Sequence, residues 1–138
     1  MTMRDRRTFL GMAAASLLSA HVRAQTSTPP SPLELARHAL SGALEGFEAV
    51  LVELNVPAGA RRAGAGHRHP GPVLGYVLDG QMQFGINQQP ATIVSAGSTF
   101  FEPPGVVHTT SESASETAPV RFLAFMVVPT GSPLSLPA

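Results

Sequence analysis

The chain of 138 residues contains no cysteine. That excludes a disulfide scaffold, a thiolate zinc site and a cysteine nucleophile. It contains no lysine, so all nine basic residues are arginines and Schiff-base chemistry is excluded. Charge is sparse: 13% of residues are charged and the formal net charge is zero. Such a balance argues against the basic footprint of a nucleic-acid binder. No Ser-His-Asp order is evident, and the small residues at 59–66 precede a strand pattern, whereas a phosphate-cradling loop opens a helix. What the chain does have is 43% hydrophobic residues, 13 glycines and 13 prolines. That composition is not disordered. The length suits one domain, and the turn residues recur at spacings of an all-β protein.

The first 24 residues read as an address. Arg4 to Gly11 is RDRRTFLG, followed by an apolar run from Met12 to Ala20 and then His21-Val22-Arg23-Ala24-Gln25. A basic start, a short apolar stretch and a small-residue cleavage site describe an export signal. The pair Arg6–Arg7 before Thr8-Phe9-Leu10 resembles the twin-arginine type. This implies a periplasmic or secreted protein. The apolar run is about ten residues against the ~20 of a membrane-spanning helix, so no stable anchor is expected after cleavage. Residues 25–138 then carry five arginines and eight acids, which makes the mature domain mildly acidic. Residues 25–32 are a polar, Pro-rich leader expected to be disordered. The domain proper is expected over 33–130, and 131–138 as a loose tail.

Within the domain, apolar residues alternate rather than recur at helical spacing. Residues 33–40 fit a short helix or a short edge strand equally. Strands are expected over 47–56, 73–79, 81–86, 91–95, 98–102, 106–111 and 119–128. Asp79-Gly80 carries the signal of a two-residue hairpin, and 112–118 reads as a solvated loop. Eight or nine short strands with frequent turns make a β-sandwich or barrel, and the hairpin-linked pattern suggests a jelly roll.

The chemistry lies in residues 66–80. His67 and His69 are one residue apart, and side chains at i and i+2 of a strand share a face. Neutral imidazole is the commonest metal ligand near neutral pH. His108, 39 residues after His69, follows a Pro103-Pro104-Gly105 corner inside another strand. Neighbouring strands would bring the three imidazoles together. Arg68 and Tyr76 are expected to alternate away from this face. Phe84, Phe100, Phe101, Phe122 and Phe125, with Met82 and Met126, are expected in the core or lining a pocket. Gly75, if inward, would leave room for a ligand.

These residues resemble the cupins. Gly97, Pro103, Gly105 and His108 match the second family motif, and His67, His69 and Gly80 match the first. The resemblance covers residues 59–112 and implies a double-stranded β-helix, the jelly-roll or cupin barrel. Three positions depart. Arg61 stands where the first motif opens with Gly, with Gly59 two residues early. Glu112 replaces the Asn that ends the second. Val73, with Leu74 as the alternative register, replaces the metal-binding Glu of the first. Glu102 is the candidate to compensate, as fourth ligand, as a partner orienting a histidine, or as general base. The plain alternative is a rim carboxylate bonded to Arg61, Arg62 or Arg68.

A site of His67, His69, His108 and Glu102 suits Fe, Mn, Ni, Zn or Cu as a divalent ion, and ligand type does not choose among them. An open-site metal suits an oxygenase or an isomerase acting on a small organic molecule. A small-molecule or metal-binding module without turnover is the second reading. A structural cupin with its pocket plugged by Val73, Phe100 and Met82 is the third. The resemblance also implies a homodimer through exposed sheet edges.

Overall fold

The structure, a computed structural model, describes residues 32–61 and 66–138. The expected export signal and nearly all of the expected leader lie outside the described residues. The strands in chain order are β1 (Leu33–Ala39), β2 (Phe47–Val56), β3 (His67–Arg68), β4 (Val73–Asp79), β5 (Gln81–Ile86), β6 (Thr92–Ser95), β7 (Thr99–Glu102), β8 (His108–Ser113), β9 (Val120–Pro129) and β10 (Leu136–Pro137). They form two five-stranded sheets, ordered β1-β2-β9-β4-β7 and β10-β3-β8-β5-β6. Every registered pairing is antiparallel. This is the all-β jelly roll that the turn spacing indicated. Residues 33–39 take the edge-strand alternative, beside β2.

Four expectations about the course of the backbone need correction. Asp79-Gly80 does not close a hairpin, because β4 and β5 belong to different sheets. The chain instead turns a corner there. Gly80 has φ +78, and a Cβ on it would lie 2.5 Å from the Pro119 carbonyl oxygen, so only glycine lets the corner close against the next segment. Second, the barrel is not closed. Among the described residues no strand pairs across from one sheet to the other, which leaves β1, β7, β10 and β6 as edges. Third, the tail is not loose: β10 pairs with β3, Leu136 opposite Arg68 and Pro137 opposite His67. Fourth, the strand before the expected loop runs on to Ser113, so Glu112 and Ser113 are buried strand residues.

Strand alternation builds the core. On β2 and β9, Val50, Val52, Val56, Val120, Phe122, Ala124, Met126 and Val128 face inward and are buried. Each large apolar side chain buried this way contributes roughly 1.5–3 kcal/mol. Two adjoining clusters result, one around Val52, Val73 and Met126 and one around Val77, Met82 and Phe100. The opposite parity is exposed. Phe101 and Phe125, expected in the core, are 54% and 41% exposed on the outer face, with Leu74 and Tyr76. They fell on the wrong side because each stands next to an inward residue in a continuous apolar run, where composition does not fix the face.

Gly75 does face inward, but the space it leaves is filled. A Cβ there would lie 1.9 Å from the tip of the Phe100 ring on β7. Gly75 and Phe100 are a directly opposed pair in the ladder. Gly75→Ala is therefore expected to destabilise by roughly 1–3 kcal/mol through overpacking. The loss should shrink in a Phe100→Leu background, and a denaturant-melt double-mutant cycle measures it. Equal losses in both backgrounds would show that the ring is not the obstacle.

Candidate metal centre

The three histidines come from one sheet. His67 lies on β3 directly opposite His108 on β8, and His69 follows two residues on. The carboxylate comes from the other sheet, at the end of β7. All four side chains line one cavity between the sheets. The two motif segments are tied together by their backbones. The Gly105 N–H donates to the His69 carbonyl at 3.4 Å, and Arg68, pointing outward as expected, donates to the Gly105 carbonyl at 3.0 Å. Arg68 is therefore used up on the outside and does not reach Glu102.

Hydrogen bonds fix which ring nitrogens face inward. His69 Nδ1–H donates to the Leu134 carbonyl at 2.6 Å, which leaves Nε2 as the lone-pair nitrogen. That atom lies 3.1 Å from His67 Nε2. His108 Nε2–H donates to the Thr110 carbonyl at 2.9 Å, so its Nδ1 is the inward acceptor. Glu102 Oε1 lies 3.2 Å from His108 Nδ1, and Oε2 lies 3.6 Å from His69 Nε2. One donor nitrogen from each of the three histidines falls within 4.8 Å of the others.

The 3.1, 3.2 and 3.6 Å separations approach those around one small cation, and the histidine nitrogens, spread over as much as 4.8 Å, would draw together on binding one. Donors bonded to an ion at about 2.1 Å stand roughly 3.0–3.4 Å apart across a right-angled or tetrahedral angle. His67 Nε2–H donates to the His69 Nε2 lone pair, and the N–H groups of His69 and His108 are turned outward onto carbonyls. Glu102 is 2% exposed, and its Oε2 makes no hydrogen bond. A buried carboxylate in such surroundings is costly unless a cation or proton meets it. Burial pushes its pKa up from 4.5 to about 7, so below about pH 7 a proton takes that place in the metal-free protein. The three histidines can hold a metal ion, and the Glu102 carboxylate lies beside two of them.

Glu102 and Val73 are opposed residues in the β4–β7 ladder. The carboxylate absent from Val73 thus reappears on the neighbouring strand, aimed at the same interior. The other two departures also meet: the Arg61 guanidinium lies 3.7 Å from Glu112 and bonds Glu116.

Apart from Ser111 and Ser135, the rest of the cavity is apolar. It encloses about 210 Å³ among Val52, Leu54, Val73, Phe100, Phe122, Ala124, Met126 and Leu134. Met82 packs in the neighbouring cluster instead, so the interior is not plugged. Two contributors were missed in the sequence, the Thr110 carbonyl and Leu134. Leu134 and Leu136 alternate with small residues, a short period-2 signal that marks the tail as strand-like.

Comparison with known proteins places this site in a family. Residues 52–128 match the Cupin domain family, and the chain belongs to it. No curated protein is detectably related in sequence. Solved structures share the fold. A Klebsiella pneumoniae protein with a double-stranded β-helix domain matches with TM-score 0.61 and 19% identity, over 82% of this chain and 88% of its own. A cupin from Bacteroides fragilis matches with TM-score 0.52 and 20% identity, over 93% and 90%. The DMSP lyase DddQ from Ruegeria pomeroyi matches with TM-score 0.52 and 20% identity, over 75% of this chain and 51% of its own.

The position of Glu102 has a pH signature. A carboxyl raised from 4.5 to about 7 holds its proton in the folded state where the unfolded chain has lost it. Stability of the metal-free protein should therefore fall as pH rises from about 4.5 to about 7 and level off above, by roughly 3 kcal/mol in all. Glu102→Gln should remove that contribution, raising metal-free stability at pH 8 and leaving it near wild type at pH 4.5. Urea melts of chelator-treated protein at both pH values check this.

Proposed function

We propose that the chain is an exported small cupin in which His67, His69, His108 and Glu102 hold one divalent ion. We further infer that it is a metal-dependent enzyme of oxygenase or isomerase type, acting on a small organic molecule. The observation that carries this reading is the buried Glu102 carboxylate, 3.2 and 3.6 Å from two imidazole nitrogens. Fe, Mn, Ni, Zn and Cu all suit the donor set. When bound, such an ion supplies Lewis-acid or redox chemistry at its open positions. The protein's own part is to fix the ring tautomers through Leu134 and Thr110 and to keep bulk water away with apolar walls. Export rests on residues 4–24 alone, and it puts the protein in the periplasm or outside the cell.

One observation favours the second reading, a binding module without turnover. Among the described residues lining the cavity, Glu102 is the sole carboxylate. Once committed to the ion, it is no longer available as general base. Oxygen uptake or product formation with added Fe(II), abolished by His67→Ala, marks the enzyme. Ligand-induced thermal shifts without turnover mark the module.

Metal analysis of untagged protein tests the centre itself. About one ion per chain is expected, lost in His67→Ala, with affinity falling about 10–100-fold in Glu102→Ala. Unchanged affinity in Glu102→Ala would remove the carboxylate from the ligand set.

We further propose that the expected homodimer forms through an outer sheet face in place of a sheet edge. Leu51, Phe125, Leu74 and Phe101 are successive partners across four strands on the outer face, and an uncharged row of this kind is self-complementary under a two-fold axis. Leu74→Arg should convert a dimer to a monomer in sedimentation velocity without changing metal content.

A further inference from the structure

The cavity walls say what class of molecule can occupy them. Apart from the three histidines and Glu102, the polar side chains lining it are Ser111 and Ser135. The Ser111 hydroxyl is already turned toward the Met82 sulfur at 3.8 Å. No described arginine lines the cavity. Arg37 is held by Glu34 and Glu48, Arg61 by Glu112 and Glu116, Arg68 by the Gly105 carbonyl, and Arg121 by Glu53. A phosphate, a second carboxylate or a ring of hydroxyls would enter this space and find no charged side-chain donor, and no hydroxyl beyond Ser111, turned to Met82, and Ser135 on the exposed tail. Each such group would lose its water without replacement, which costs several-fold to many-fold in affinity per group.

The size is equally restrictive. A dry protein cavity of about 150 Å³ accepts benzene. At about 210 Å³ there is room for about eight to ten non-hydrogen atoms on the same scale. That is below the usual span of ligand pockets, about 300–1,000 Å³. Charge sets the head group. A divalent ion and one carboxylate leave a single positive charge, which one anionic oxygen head neutralises.

Resting on the metal reading above, we propose that the ligand is a compact apolar acid or enol. It presents one oxygen head to the ion and lays an aromatic ring or a short hydrocarbon chain against Phe122, Met126 and Leu134. Sugars, phosphate esters and dicarboxylates are excluded. Ala124 and Leu134 set the size limit. Ala124 is the small inward residue opposite both Gly75 and Val52 in the ladder. The Leu134 side chain bounds the cavity, and its carbonyl serves His69 whatever the side chain.

The test uses the full-length exported protein loaded with Co(II), read by visible absorption and by calorimetry. Co(II) is titrated first, then benzoate, hexanoate, succinate and glycerol 3-phosphate. Benzoate and hexanoate should bind at least tenfold more tightly than succinate or glycerol 3-phosphate. Ala124→Leu should weaken benzoate at least tenfold with Co(II) affinity within threefold of wild type. Should that variant fold poorly, Leu134→Ala tests the converse by improving 4-propylbenzoate relative to benzoate. Failure to bind Co(II) would overturn the metal reading and this proposal with it. Normal Co(II) binding with succinate or glycerol 3-phosphate equal to benzoate, or with no response to either wall variant, would overturn this proposal and leave the metal reading standing.

Discussion

A carboxylate held in an apolar interior among imidazole lone pairs is the constraint on which the rest of this structure turns. Glu102 lies at the bottom of a sandwich whose other inward residues are mostly Val, Phe and Met. An uncompensated ionised group there costs several kcal/mol. His69 and His108 do not relieve it by donating, because they give their N–H groups to the Leu134 and Thr110 carbonyls, and His67 Nε2 is paired with His69 Nε2. A proton or a cation must therefore complete the centre, and both compete for the same few ångströms. The raised pKa and the fit to a metal are two views of one electrostatic fact.

The ladder explains how a cupin can lack the usual first-motif carboxylate and keep a carboxylate at the centre. Inward positions on adjacent strands come in opposed pairs, and Val73 is paired with Glu102. Moving the acid from one member of the pair to the other shifts its origin by one strand spacing, about 4.8 Å. A glutamate side chain spans that difference. The pair Arg61 and Glu112 follows the same logic on the outer side. Each departs from its own motif, and the two are within ion-pair distance of each other. Read singly, each looks like loss of a motif; in the fold, each has a partner.

The sequence revealed most of this and hid some of it for physical reasons. Strand positions and the three histidines were readable because alternation and the H-x-H spacing are local. The inward aim of Glu102 was an inference from its place before the Pro-Pro-Gly corner, and the fold gives it the predicted direction. What stayed hidden was non-local. Asp79-Gly80 has the composition of a hairpin, but the chain crosses to the other sheet there, with Gly80 against the Pro119 carbonyl, 39 residues on. Gly75 promised space that Phe100, on another strand, fills. The facing of Phe101 and Phe125 was lost inside apolar runs. Residues 131–138 looked loose because Pro, Gly and Ser dominate them, although Leu134 packs on the core and β10 pairs with β3.

That docked segment changes how the centre is supported. β3, which carries His67, is two residues long and has a single registered pair with β8. Its other neighbour is β10, itself two residues long. So short a ribbon contributes little by its own hydrogen bonding, and its ligands need outside restraint. The Leu134 carbonyl restrains the His69 ring, while the Leu134 side chain packs against Val52, Val73 and Met126 or their neighbours in the core. An ion bound by His67, His69, His108 and Glu102 would add a cross-link between the sheets at this thin place. Binding to the folded state alone stabilises that state by mass action. Tail docking and metal binding would then favour the same conformation of β3, so each would strengthen the other without direct contact between the tail's side chains and the ion.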